Sequence, residues 1–144
     1  MADEPAQDWR DQRREAASAH ADALERRRLS EVSQARALLG SFVEEARRRG
    51  LPPVPLRARS YDGRDRYRTP LEGWYLRRNE TVAVGTDGQF YVLAVPRSLK
   101  ALVTGTAVPP SEPPLILGKG GRDGESIDLA DALAIALGDR QSRA

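Results

Sequence analysis

Arg57, Arg59, Arg64, Arg66 and Arg68 alternate with Tyr61 and Tyr67 in the stretch RARSYDGRDRYRTPLEGWYLRR, residues 57–78. Guanidinium grips phosphate or carboxylate as a two-pronged fork, and tyrosine rings stack on bases. The chemistry on offer is contact with an anionic polymer. Arg57, Arg59, Arg66, Arg68 and Tyr67 are therefore candidate anion or nucleic-acid contacts. Asp62, Asp65 and Glu72 lie among them and lower the local charge. The ring spacing matches no RNP-type signature. The plainer reading is a solvated sheet and turn with local Arg–Asp pairs. A protein-docking surface built on arginine and tyrosine is a third.

Groups for catalysis are scarce. His20 is the single histidine, and cysteine is absent. That excludes thiol nucleophiles, disulfides and the usual structural zinc sets. The loop GKGGRDGES, residues 118–126, places glycines, Lys119 and Arg122 ahead of a helical pattern. Backbone N–H groups in such a place can cradle phosphate. Its spacing fits neither the P-loop nor the dinucleotide fingerprint, and Asp123 and Glu125 oppose an anion. Asp123, Glu125, Asp128 and Asp131 lack EF-hand spacing and read as acids at a helix start, with Ser126 or Asp128 as cap. No carboxylate pair stands out for acid–base work. No cofactor or metal is expected.

The chain has 144 residues, 40% hydrophobic and 31% charged, with a net charge of +2. It is long enough for one domain with a helical extension. Lysine occurs only at Lys100 and Lys119, so arginine supplies 21 of the 23 basic residues. A GC-rich coding bias explains that better than function does, since alanine and proline are enriched too. The N-terminus is polar and acidic, unlike a signal peptide. No run approaches the ~20 apolar residues that span a bilayer. A cytoplasmic protein without membrane contact is expected.

Residues 1–9 are read as disordered and residues 10–50 as a helical arm. Proline is absent from Ala6 through Leu51, and Gly50-Leu51-Pro52-Pro53 is a stop signal. Val32, Ala35, Leu39, Phe42 and Ala46 recur at spacings of three and four, giving an amphipathic face. Residues 10–28 offer mainly alanine. The first half therefore projects as an arm, pairs with a partner, or breaks away near Arg28–Ser30. Val32, Leu39 and Phe42 are the candidate partner-binding residues, dividing their contacts between the sheet and a partner.

Residues 51–138 are read as a small α+β domain and residues 139–144 as a loose tail. VPLRARS, residues 54–60, alternates like an edge strand, with Leu56, Ala58 and Ser60 on one side. YDGRDRYRTP reads as a turn. Strands are expected near 72–77, 81–85 and 89–95, split by Arg78-Asn79-Glu80 and by the hairpin signal Asp87-Gly88. The run 90–95 is apolar on both faces, to be covered by the helix on one side and the C-terminal segment on the other. Lys100–Val103 reads as a short turn or strand, PLILG as a last strand, and residues 127–137 as a closing helix. At GWYLRRN, AVGTDGQFYVLAVP and DGESIDLADAL the chain resembles a group of small α+β proteins of high-GC actinobacteria. No activity is established for that group. The resemblance implies one small domain and supplies no site residue.

The predicted fold is α+β: a long N-terminal helix on a small, mostly antiparallel sheet, with a short C-terminal helix. The expected function is a non-enzymatic intracellular interaction or regulatory module whose helical arm mediates self-association or partner binding. The alternatives are nucleic-acid binding through residues 57–78 and a small enzyme of unknown class.

Overall fold

The computed structural model describes residues 4–118 and 126–138. Helix α1 runs unbroken from Glu4 to Arg48. At ~1.5 Å per residue it is about 65 Å long. The expected disorder through residue 9 is thus corrected from Glu4 onward, and there is no break near Arg28–Ser30. The helix ends as its sequence dictates. Gly50 takes φ 69°, Leu51 N–H donates to Ala46 O and Gly50 N–H to Arg47 O, closing a Schellman motif.

A mostly antiparallel five-stranded sheet follows. Its strands are β1 (Val54–Ser60), β2 (Arg66–Tyr75), β3 (Val82–Gly85), β4 (Phe90–Val92) and β5 (Ala94–Val95), in the order β4-β3-β2-β1-β5. Only Leu93 separates β4 from β5. The first pairs antiparallel with β3 and the second parallel with β1. One bent run therefore bonds both edges, and the sheet curls into a small barrel. This corrects the edge-strand expectation for residues 54–60, because β1 lies between β2 and β5.

Residues 66–70, expected in a turn, are the first half of β2. Tyr67 and Leu71 supply the inward alternation that the charged neighbours mask. Pro70 lies outside the β3 pairing and opposite the register shift between Pro55 and Arg57, where a missing N–H is tolerated. Gly73 sits opposite Gly85, and a Cβ at Gly73 would lie 2.0 Å from Val84 O. No other residue fits that crossing of β2 and β3.

Residues 99–103 are helical. Helix α2 spans Leu99–Thr104, and the Ser98 side chain caps it by accepting from Ala101 N–H. Strands β6 (Ile116–Leu117) and β7 (Ile127–Asp128) form a second small sheet, and α3 spans Leu129–Ala136. Asp128 holds the N-cap position of α3 without a side-chain capping bond. Lys119, Arg122, Asp123, Glu125 and the expected tail at 139–144 fall outside the described residues.

Two apolar bodies result. Outside the barrel, Ala35, Leu39, Phe42, Val43 and Ala46 of α1 pack with Trp74, Leu76, Val84, Phe90, Leu117, Leu129 and Leu133. Phe42 meets Trp74 edge-on at 5.5 Å, and the Trp74 indole N–H donates to Leu51 O. Inside the barrel, Leu56, Ala83, Tyr91 and Leu93 pack together, with Leu71, Tyr75 and Val108 against them. Ala58, Tyr67 and Ala101 continue this interior, again with Val108. The C-terminal helix therefore lies on the same side as α1. The opposite face of the 90–95 run is covered by the residue 98–110 connection.

Candidate functional site

From Pro5 through Glu31 every residue of α1 is exposed, and Val32 is the first buried one. The projecting part is about 40 Å long at ~1.5 Å per residue. Its root is tied down by Arg28, which bonds Glu112 at 2.5 Å and Glu25 at 2.8 Å. The Arg28 guanidinium holds the Glu25 carboxyl below its ordinary pKa, first by hydrogen bonding and then by charge. Beneath this knot a hollow is lined by Glu31, Val32 and the segment Pro113–Ile116.

The three candidate partner-binding side chains are not free. Val32 is 8% exposed, Leu39 0% and Phe42 2%. The expectation that they divide their contacts with a partner is corrected: the chain's own body covers them, because α1 turns its only strongly apolar stripe to Trp74 and Leu133. What projects is mostly polar or alanine, with Trp9, Leu24 and Leu29 exposed singly along it. Asp8, Asp11, Glu15 and Asp22 recur at intervals of three, four and seven, so they share one helix face, and all are exposed. Arg13 lies over the Trp9 ring at 3.7 Å on another part of the surface.

The arginines are brought together. Strand pairing sets Arg57 against Arg68 and Arg59 against Arg66, on the outer surface of β1 and β2. In this antiparallel ladder, partners point to the same side. The result is a grid of four guanidinium-bearing positions, with Glu80 as its counter-ion. The Glu80 carboxylate stands 3.6 Å from Arg59 and 3.5 Å from Arg66. Glu80 reaches them from a turn residue with φ 59°, an uncommon conformation for a residue with a Cβ. Arg68 donates to Val103 O at 2.8 Å, so the grid adjoins α2. Leu99, Leu102 and Val103 of that helix are exposed at 73%, 45% and 74%.

The tyrosines do not join the grid. Tyr67 is 1% exposed and lies in the barrel interior, where its OH accepts from Ser98 N–H. Its expected role as an anion or nucleic-acid contact is corrected on that ground, since adjacent strand residues face opposite sides. Tyr75 also faces inward and accepts from Arg57 N–H, while Tyr61 is exposed in the turn. There, Asp62 accepts from the buried Ser60 hydroxyl and from Arg64 N–H, and both hold its carboxyl below the usual range. Arg97 pairs with Asp65.

Asp87 pairs with Tyr91, at 2.6 Å, rather than with Tyr61 or Tyr67. Burial, assisted by the Asp87 carboxylate, pushes the Tyr91 phenol up to about 12. This contact braces the Asp87-Gly88 hairpin. Glu72 is exposed. Among the described residues no cluster of histidine and carboxylates has the form of a metal site. No described helix is long and apolar enough to cross a membrane. No family model, curated protein or solved structure matches the chain.

Sequence reasoning missed the apolar face of α2. Its signal was present: Ser98 in a capping position, then Leu99, Leu102 and Val103 at helical spacing. The acidic stripe of the arm was equally legible as a spacing of three, four and seven.

Proposed function

We propose that the chain is a non-enzymatic intracellular interaction module that associates through its projecting helix. One observation carries the reading: α1 continues far beyond the body it serves, with every side chain from Pro5 to Glu31 exposed. Most helical stability in proteins comes from tertiary packing, and an isolated helix much shorter than this is marginal in water. A helix without a continuous apolar stripe over its projecting half and anchored at one end is suited to bridging to another surface. The mode differs from the one read in the sequence. The apolar stripe is occupied, so association uses the polar projecting half.

Static light scattering over a range of concentrations tests this, comparing the full chain with one lacking residues 1–24. The full chain is expected to gain mass with concentration and the shortened one to stay monomeric. Each chain holding its own monomer mass at every concentration removes the self-association part of the reading.

A second reading takes the arginine grid as a contact surface for nucleic-acid phosphates. The in-register pairing of four arginines favours it. The inward turn of Tyr67 and Tyr75 removes the stacking platform that single-strand binders use. Fluorescence anisotropy with a short labelled oligonucleotide at low salt decides. Binding through the grid weakens with salt, with a slope of about −0.7 per phosphate contacted.

A further inference from the structure

We propose that the acidic face of the arm, Asp8, Asp11, Glu15 and Asp22, docks on the arginine grid of a second copy of this chain, Arg57, Arg59, Arg66 and Arg68. The inference rests on the arm-mediated reading above and names its partner and chemistry.

Each surface alone carries a local electrostatic cost. Like charges directly opposite on paired strands are destabilising, and the grid has two such pairs side by side. Like charges at i,i+4 on a helix are destabilising too, as with Asp11 and Glu15, a cost that Arg14 at i+3 from Asp11 and Arg26 at i+4 from Asp22 offset only in part. Glu80 offsets the grid only in part, since one carboxylate serves Arg59 and Arg66 at 3.5–3.6 Å. Bringing the two surfaces together relieves both costs.

One spacing agrees. Rows of the grid two residues apart along a strand lie about 7 Å from each other. Asp11 and Glu15, separated along the helix axis by about 6 Å, match those rows, and Asp8 and Asp22 fall beyond them. The same chain supplies both charge signs, and its net charge of +2 leaves little long-range repulsion between copies. Beside the grid, exposed Leu99, Leu102 and Val103 give the mixture of arginine and apolar side chains found in protein interfaces. The arm cannot reach its own grid by bending, because α1 is continuous through Arg48.

Sedimentation velocity on full chains reads the result. The unaltered protein is expected to associate in about 0.01 M salt and to do so at least about tenfold more weakly in about 1 M salt, as the Debye length shrinks from ~30 to ~3 Å. Arg57→Glu with Arg68→Glu is expected to be monomeric, as is Asp11→Arg with Glu15→Arg. A mixture of these two variants is expected to associate again, since one contributes a reversed grid and the other a reversed arm. Circular dichroism confirms that each is folded. Should the first variant not fold, Arg57→Gln with Arg68→Gln replaces it with the same expected loss, and the arm variant stands independently of the body.

Three results overturn the proposal. Association that survives both reversals but disappears when residues 1–24 are removed leaves the arm reading intact and rejects the grid as its target. An unaltered protein monomeric at low salt rejects self-docking outright. Oligonucleotide binding lost in the grid variant, with assembly unchanged, assigns the grid to nucleic acid instead.

Discussion

Tyr67 and Arg68 are consecutive in β2 and belong to opposite surfaces of the barrel. The phenol is buried and accepts from Ser98 N–H, whereas the guanidinium is outside and donates to Val103 O. The same alternation sends Arg57, Arg59 and Arg66 outward and Leu56 and Ala58 inward. The interleaved sequence thus separates the four arginines, on the exterior, from Tyr67 and Tyr75, in the interior.

That division fixes what replacing either residue does. Tyr67→Ala removes a fully buried ring and is expected to destabilise the chain by about 3–5 kcal/mol, on the scale of aromatic truncations in cores. Arg68→Ala, on the surface, is expected to cost under ~1 kcal/mol. Urea denaturation of both variants checks the contrast.

Leu39 and Phe42 are structural under this account. Leu39→Ala is expected to cost about 2–5 kcal/mol and Phe42→Ala about 3–5 kcal/mol. Removing residues 1–24 is expected to change the stability of the body by under ~1 kcal/mol, because every described side chain of that segment, from Pro5 on, is exposed. Chemical denaturation monitored by Trp74 fluorescence, with Trp9 replaced by phenylalanine, reports all three.

Gly73→Ala is expected to be worse than its size suggests. The added methyl would lie 2.0 Å from Val84 O and 2.8 Å from Gly85 Cα, both backbone. Strands β2 and β3 must separate, at about 3 kcal/mol or more, the upper end for overpacking. Gly88→Ala meets no atom within 4 Å but must hold φ 79°, so its cost of roughly 1–2 kcal/mol is purely conformational. Thermal melts of the two variants separate the effects.

Tyr91 gives the fold an alkaline limit. Its folded pKa is raised from 10.0 to about 12 by burial and by Asp87. A raised folded value means that the neutral phenol stabilises the fold. That contribution is complete below about pH 10 and is lost as pH rises toward about 12. Tyrosinate absorbance is expected to show a late phase from Tyr91, and Tyr91→Phe is expected to abolish it.

The α+β class, the stop at Gly50, the Asp87-Gly88 hairpin and the apolar stripe from Val32 to Ala46 were legible because each rests on local chemistry. Closure of the barrel was not. It depends on the bend at Leu93, which lets one apolar run serve two edges, and nothing within 90–95 marks it. The start of β2 was hidden because Arg66, Arg68, Pro70 and Glu72 all face outward, leaving Tyr67 and Leu71 as the only apolar cues. The stripe on α1 identified a face to bury without saying against what. The chain's own body took it, which moved the candidate site from apolar residues to charged ones.

The absence of cysteine in the chain permits a direct reading of where the arm goes. Ala19→Cys places a donor dye on the arm, and Tyr61→Cys places an acceptor beside the grid on a separate copy. Energy transfer between mixed copies is expected to rise with concentration at low salt and to fall away at high salt. A mixture that shows no transfer at low salt, at concentrations where scattering detects association, contradicts the placement of the arm on its neighbour's arginines.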